Sequence, residues 1–585
     1  MKDGNKSMNA EVIAVYPNKV KISVDDLSKF VSTDEQVEKL KVGSYLEISD
    51  DDNHKLIAII ESYSIVIDEK KPSERSYIIE ANPLGIIEEN EFSRGGDFLT
   101  IPPTKVLPAK YEDINAIFNS RIKEKERFCF SKLAQNKKIE TPVNGNRFFN
   151  KHFAIVGSTG SGKSHTVAKI LQEAISKKEG QYEGLNNSHI VLFDIHGEYK
   201  DAFPECNYVE ASNLTLPYWL LNEAELEELF LDTGDRNNYN QSSILRRTII
   251  ENKQKHNPGE KIHFGTPTKF DITEVYNCLY NFQNETTDYR DNLCIKIENE
   301  EKQCSKIEEK YLHFFKKQYT FEPRKTSKIK GGIYADGTLD KFIDRFENKI
   351  FKKRLNFLFG DGSRDSSFED TMKQFVGYKI DNSSSDQNIT IIDLGGVPFE
   401  VLSITVSLIT RILFEFGFYY KKYFDGKEII CETPLLLVYE EAHKYVPKSE
   451  LAKFRASKNA IERVAKEGRK YGVTLGIISQ RPSEISETIF SQCNTFLAMR
   501  LTNPDDQNYV RRLMPDSMGN MTDTLPALKT GEALLIGESI EIPCIVKIDE
   551  CDEYKPSSND IKYIEIWQEQ WKDVDFTKIV EEWKK

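Results

Sequence analysis

Gly157-Ser158-Thr159-Gly160-Ser161-Gly162-Lys163-Ser164 fits G-x-x-x-x-G-K-[ST] at every fixed position, and each residue type in that spacing has a chemical use. Glycines let successive backbone N–H groups converge on phosphate oxygens, and a helix opening behind them adds the positive end of its dipole. Lys163 is placed to neutralise β- and γ-phosphate charge, and Ser164 to ligate Mg²⁺. The pattern implies a nucleoside triphosphate, ATP with Mg²⁺, held by Gly157, Ser158, Thr159, Gly160, Ser161, Gly162, Lys163 and Ser164. His165 opens the helix behind them.

Two further clusters supply what hydrolysis would need. Leu435-Leu436-Leu437-Val438-Tyr439-Glu440-Glu441 reads as a buried strand ending in paired acids. One carboxylate must hold the metal, usually through its water, and the other must orient or deprotonate the attacking water. Glu440 is assigned to the metal and Glu441 to the water, although aspartate is commoner at the metal position. Gln480 and Arg481 follow the next strand and emerge at its carboxyl end, where Gln480 suits a γ-phosphate sensor. Asp194, His196 and Glu198 alternate after another strand. Without a second cluster they do not make a metal site, and their placement points to the nucleotide, where the Asp194 carboxylate can reach metal-bound water.

The elements that must position these groups follow from periodicity. Phe153 to Val156 is a short apolar run before the glycine loop, and Val167, Ile170 and Leu171 recur on a helical period after it, which predicts strand, loop and helix in the required order. Ile190–Phe193, Ile389–Asp393, Leu435–Tyr439 and Val473–Ser479 predict more strands, and Phe399 to about Tyr420 a helix. Strands alternating with helices imply a parallel sheet whose carboxyl-end loops carry the chemistry. Residues 1–110 alternate instead, with Val20, Ile22 and Val24 on one side and turn signals at Pro17-Asn18, Val42-Gly43 and Gly95-Gly96. That predicts an all-β domain, a small barrel or sandwich. The expected organisation is this domain at 1–110, the first part of an α/β core at 111–215, a helical insertion at 216–385, the second part of the core at 386–540 and a C-terminal segment at 541–585.

Composition narrows the partners. Lys+Arg 80 against Asp+Glu 93 leaves a net charge of -13, which excludes a globally basic binder and confines nucleic-acid contact to a local strip. Nine cysteines without a C-x-x-C pair suggest neither a zinc ribbon nor a disulfide framework. No run is expected to span a membrane, so the reading is a cytoplasmic chain with no membrane partner. Leu451 to Lys470 predicts a helix with Lys453, Arg455, Lys458, Arg463, Lys466 and Arg469 among its polar positions, interleaved with Glu462 and Glu467 and stopped by Gly472. Ile564, Trp567, Trp571 and Trp583 predict an amphipathic C-terminal helix.

Lys151 through Gly157, Asp194 through Tyr199, Glu440-Glu441-Ala442-His443, Glu467 through Gly472, Ser479 through Ser483 and Thr530-Gly531-Glu532-Ala533 occur in that order, and together resemble the HerA branch of the FtsK/HerA ATPases. Lys151 stands where an arginine is common there. The resemblance implies an α/β RecA-like P-loop ATPase core with an N-terminal all-β barrel, similar to the HAS-barrel, and a helical insertion. It implies a homo-hexamer moving double-stranded DNA through a central channel, with a C-terminal brace between neighbours. In such a ring Arg469 is the candidate arginine finger toward the adjacent subunit, and Arg481 the runner-up. Archaeal members of the family work with a nuclease in end resection, and bacterial members often sit beside a nuclease or sirtuin-like effector in antiviral defence. The resemblance therefore implies either a DNA motor acting with an effector docked on the N-terminal tier, or a ring that mainly scaffolds and regulates that effector.

Overall fold

The computed structural model describes residues 10–16, 18–24, 40–49, 55–67, 75–94, 105–176, 184–232, 234–290, 293, 307–324, 328–378, 386–424, 432–449, 455–513, 516–551, 553–557 and 561–584. Pro17, Gly95, Gly96 and Lys453, singled out from the sequence, lie outside them.

Alternation builds the first sheet. Strands β1 (Ala10–Tyr16), β2 (Lys19–Val24), β3 (Tyr45–Ser49), β4 (Lys55–Ile67), β5 (Arg75–Glu88), β6 (Glu91–Arg94) and β7 (Lys105–Pro108) pair antiparallel in the order β1-β2-β5-β4-β3-β7, with β6 on β5. Val20, Ile22 and Val24 are all buried, as the two-residue period requires. They pack with Leu46, Ile48, Ala58, Ile60, Ile79 and Val106 in a core of their own. Register shifts at Ile57/Ala58 and Ile60/Ser62 bend β4, and the end strands β1 and β7 approach each other. The result is a curled antiparallel sheet, with no β1–β7 ladder among the described residues.

Helix α1 (Tyr111–Asn119) leaves this sheet, and β8 (Arg127–Phe128), β9 (Ser131–Leu133), β10 (Val143–Asn144) and α2 (Gly145–Asn150) lead to β11 (His152–Val156). After the glycine loop come α3 (Lys163–Ala174), β12 (His189–Asp194) and β13 (Asn207–Val209). A helical stretch follows: α4 (Glu223–Phe230), α5 (Asn238–His256), α6 (Ile272–Asn284), the short pair β14 (Thr286–Thr287) and β15 (Lys330–Gly331) flanking α7 (Ile307–Phe314), then α8 (Asp340–Ile350), α9 (Asn356–Phe359), α10 (Asp361–Asp365) and α11 (Phe368–Val376). Aromatic pairs hold it together, with Phe230 stacked on Phe346 at 4.2 Å and Phe282 edge-on to Phe314 at 5.1 Å.

The α/β pattern resumes with β16 (Ile389–Asp393), α12 (Phe399–Tyr423), β17 (Leu435–Tyr439), α13 (Arg455–Glu467), β18 (Val473–Ser479), α14 (Glu487–Phe490), β19 (Cys493–Ala498), α15 (Pro504–Arg511), β20 (Glu532–Gly537) and β21 (Cys544–Ile548). One sheet collects the strands in the order β13-β16-β12-β17-β18-β11-β19-β20-β21-β9. It is parallel from β13 to β19, and antiparallel beyond. Strands β11, β17 and β18 are buried along their whole length, the mark of a sheet covered on both faces. Strand β21 falls beyond the boundary expected at residue 541, yet β20 and β9 hold it inside this sheet.

Two sequence expectations change. Helix α12 is long and apolar enough to cross a membrane, with a mean hydropathy of 1.7, where no such run was expected. It is a core helix: Val401, Ile404, Leu408, Ile412 and their neighbours are buried. The single C-terminal amphipathic helix is instead two short ones, α16 (Tyr563–Trp567) and α17 (Phe576–Lys584). Asp575 ends the intervening stretch by accepting from the backbone N–H groups of Thr577 and Lys578, which caps a new helix. Trp567, Trp571 and Trp583 are 72%, 98% and 77% exposed; Trp567 meets Tyr563 of its own helix edge-on at 5.2 Å.

The helical stretch is fastened to the core by a buried ion pair. Arg411 of α12 donates to Glu225 of α4 at 2.9 Å, with Ser407 adding 2.8 Å. Glu225 also completes a capping box with Asn222. Removing one partner of such a pair strands a buried charge. Glu225→Ala is therefore expected to destabilise the protein by about 3 kcal/mol, read as a lower urea midpoint; an unchanged midpoint would show that the pair holds nothing together.

Candidate active site

Strand β11 ends between β18 and β19, and the glycine loop hangs from both. Gly157 N–H donates to the Ser479 carbonyl (3.2 Å), and Ser158 N–H to the Arg500 carbonyl (2.8 Å). A side chain at Gly157 would meet Ser161 Oγ at 2.6 Å and Met499 Cβ at 2.8 Å, so only glycine fits there. Gly162, with φ 99°, turns the chain into α3 at Lys163. The loop therefore presents its amides at the N-terminus of a helix. The Lys163 ammonium folds back on the loop, its Nζ donating to the Ser158 carbonyl at 3.4 Å.

Three carboxylates face that lysine. Burial lowers the Lys163 ammonium, and the charges of Glu441, Glu440 and Glu198 oppose the shift. Glu440 and Glu441 sit at the end of β17, both buried, yet their environments push them apart. Burial first, then the charges of Asp194, Glu198 and Glu441, raise the Glu440 carboxyl to about 9. Glu440 Oε2 accepts no hydrogen bond among the described residues. Burial acts in the same direction on Glu441 but is outweighed by His443, Lys163 and Gln480, which hold this carboxyl below its usual range. Glu441 also takes a left-handed backbone, φ 47°, unusual for a side-chain-bearing residue. That turn aims its carboxylate at Gln480 Nε2 and at His443 Nδ1, 3.2 Å away.

Gln480 completes the link, accepting from Thr159 Oγ1 at 2.6 Å while donating to Glu441. One side chain thus joins the glycine loop to the ionised acid. Ser164 Oγ donates to Glu198 Oε2 at 2.5 Å. Asp194 is buried, but both of its oxygens are taken by backbone N–H groups of His196, Gly197 and Tyr199. It shapes the 195–199 turn that carries Glu198, and its charge is felt by Glu440, the acid assigned to the metal.

The other expected residues separate. His165 turns away from the glycine loop, its Nε2 accepting from Cys551 N–H at 3.1 Å. Arg481 lines an open cleft of about 300 Å³ beside Ser158, Thr159 and Gln480, and its guanidinium is paired with Glu484 at 2.7 Å. Arg469 lies on the turn after α13, exposed, at the opposite end of β18 from Gln480. The six residue steps of that strand put it about 20 Å away. Three groups that chemistry-based reading passed over form the rim: His443; Arg500, whose Nη2 donates to the Gly160 carbonyl at 3.2 Å; and Thr530, whose Oγ1 reaches the same carbonyl at 3.3 Å. His443 was visible beside the paired acids. Arg500 carries no sequence signal beyond following a strand.

This geometry suits Mg²⁺-nucleotide chemistry. The acids exceed the cations, an unpartnered carboxylate oxygen is buried among them, and a serine hydroxyl stands at the start of the helix. A RecA-like sheet with a phosphate loop on one strand and a polarised acid pair two strands away makes the protein a P-loop ATPase. A family model described as the central domain of helicase HerA matches residues 128–413. The chain is 26% identical to a probable DNA double-strand break repair helicase HerA of Methanocaldococcus jannaschii, over 89% of this chain and 93% of the other. To the DNA double-strand break repair helicase HerA of Sulfolobus acidocaldarius it is 28% identical, over 80% and 78%. Among solved structures, VirB4 of Thermoanaerobacter pseudethanolicus aligns with a TM-score of 0.43 and 13% identity, over 73% of this chain and 97% of that one. Similarity to the HerA helicases thus extends over most of this chain.

The raised Glu440 makes stability depend on pH. Its folded value lies above the unfolded one, so the native state keeps a proton that the unfolded chain releases; stability is full below about pH 4 and is lost as pH climbs toward 9. Glu440→Gln removes that cost. Without nucleotide, its melting midpoint relative to the parent should rise from about pH 5 to about pH 8.5. A difference that stays constant across this range would show that Glu440 does not carry the shift.

Proposed function

We propose that this chain is an ATP-driven motor that moves double-stranded DNA through the channel of a homo-hexamer. The observation that carries the reading is the split between the acids ending β17: Glu441 is held below its usual range, with Gln480 donating to it and His443 3.2 Å away, while Glu440 beside it is raised. Pairs pushed apart in this way separate metal binding from proton transfer. The names of the HerA relatives support DNA as the track.

In this reading the loop amides from Gly157 to Gly162 and Lys163 bind the phosphates of ATP. Ser164, released from Glu198, and Glu440, once ionised, hold Mg²⁺, Glu440 through water. When bound, the metal neutralises charge on the β- and γ-phosphate oxygens. Glu441 takes the proton of the attacking water, and Gln480 senses the γ-phosphate by exchanging its bond to Thr159. Arg469, too far along β18 to serve its own loop, reaches the neighbouring subunit as an arginine finger; Arg481 is the alternative, at the right end of β18 but engaged by Glu484. The cations of α13, with Arg463 and Lys466 only loosely paired to Glu467 and Glu462, line the DNA path. The exposed tryptophans of the C-terminal segment brace the adjacent subunit. The free end strands of the N-terminal sheet, with Ile13 and Tyr16 half exposed on β1, dock an effector enzyme.

Glu441→Gln should retain bound ATP while turnover falls by about 10²- to 10⁴-fold; hydrolysis at the parental rate would move the base to Glu440. Parental turnover should rise with double-stranded DNA, and that stimulation should fade steeply with salt. Turnover indifferent to DNA would favour the scaffold reading instead. Mixing Arg469→Ala with Lys163→Ala subunits should restore activity at some interfaces. A co-assembled mixture as inactive as its components would count against a finger supplied in trans.

A further inference from the structure

Strand β11 has two neighbours, and the residues assigned to hydrolysis all lie on one side of it, at the ends of β17 and β18. The other side is occupied by Arg500, just past the end of β19. Its backbone carbonyl takes the Ser158 N–H (2.8 Å) and its guanidinium Nη2 donates to the Gly160 carbonyl (3.2 Å), so the residue grips the loop at two points. The guanidinium forms no ion pair among the described residues. A full positive charge is thus held on a neutral acceptor that Thr530 Oγ1 also serves, at the edge of a loop built for phosphate. A phosphate oxygen is a far better partner for guanidinium than a peptide carbonyl, because the bond becomes charge-assisted and can be bidentate.

We infer that Arg500 is a second phosphate-binding cation supplied in cis, which leaves the Gly160 carbonyl for the phosphate chain of the nucleotide when it binds. The inference rests on the loop being the ATP site. Its position sets its role. Approaching from the side away from Glu441 and Gln480, Arg500 contacts phosphate present in both ATP and ADP, and has no access to the line between attacking water and γ-phosphate. It therefore contributes to binding of both nucleotides, and its loss appears in KM and not in kcat. That separates it from a finger supplied by a neighbour, whose loss appears in kcat.

Titrations with fluorescent mant-ATP and mant-ADP, together with steady-state ATP hydrolysis, test this. Arg500→Ala should weaken both nucleotides by about ten- to one-hundred-fold, the worth of a hydrogen bond to a charged group, with KM raised to match. Arg500→Lys should recover part of the loss. Arg500→Gln keeps a donor for the Gly160 carbonyl but no charge, and guards against mere loss of the loop's shape; it should bind as poorly as Arg500→Ala. Parental affinity in Arg500→Gln would show that the residue only braces the loop, and a fall in kcat with affinity intact would make it a hydrolytic residue; either overturns the inference. Lys163→Ala, measured alongside, must lose binding if the loop is the site, so failure of that premise is read separately.

Discussion

Glu198, Glu440 and Glu441 crowd toward one lysine, with Asp194 beside Glu440, at the carboxyl ends of adjacent parallel strands, and the rest of the core is built to sustain that imbalance. Burying several like charges together is costly unless some are neutralised or solvated by fixed dipoles. Each device is present. Asp194 spends its oxygens on three backbone N–H groups, Glu440 keeps a proton, Glu441 is met by His443 and Gln480, and Glu198 takes a hydroxyl hydrogen. The arrangement is tolerable without a cation, and a cation placed among these acids would relieve it.

The sheet explains why the cluster can be held so closely. All four of its members stand at the ends of β12 and β17 or on the turn after β12, strands paired in register from His189 to Phe193. A further anchor, Gln480, follows β18, also in register with β17. Side chains at the ends of such strands are fixed by the ladders beneath them. Small motions therefore enter through side chains and through the loops, among them the turn that holds Glu441 in a left-handed backbone.

Much of this was legible in the sequence because the signals are dense. Apolar runs of four to six residues ending in acids or in a glycine loop admit few readings, and Leu435–Tyr439 and Val473–Ser479 are strands with the bounds that periodicity gave. Within the described part of 451–470 the helix runs Arg455–Glu467 into a tight turn, with Gly472 at φ 72° stopping it as expected. Of the rim, the motifs held His443 and Thr530 but gave no sign of Arg500. Strands β20 and β21 look like the end of a domain until they are seen to extend the parallel sheet, and Arg500 is an ordinary arginine until the fold brings it to Gly160 across more than three hundred residues. The pairing of Asp194 with its own turn was equally hidden, since hydrogen bonds to a local backbone leave no trace in composition.

Strand β9 lies early in the chain and β21 near its end, yet they are partners in one ladder, and the chain after β21 crosses back over the loop helix, where Gln172 donates to the Tyr554 carbonyl and Ser557 N–H to that of Glu198. During synthesis the phosphate loop leaves the ribosome long before Arg500, Thr530 and these last contacts exist. A nascent chain therefore carries the loop motif without its rim, and the nucleotide pocket closes only when nearly the whole polypeptide has emerged. Folding of this ATPase is in effect proofread by its own C-terminal stretch: a truncated product would display the signature residues and lack the walls that make them a site.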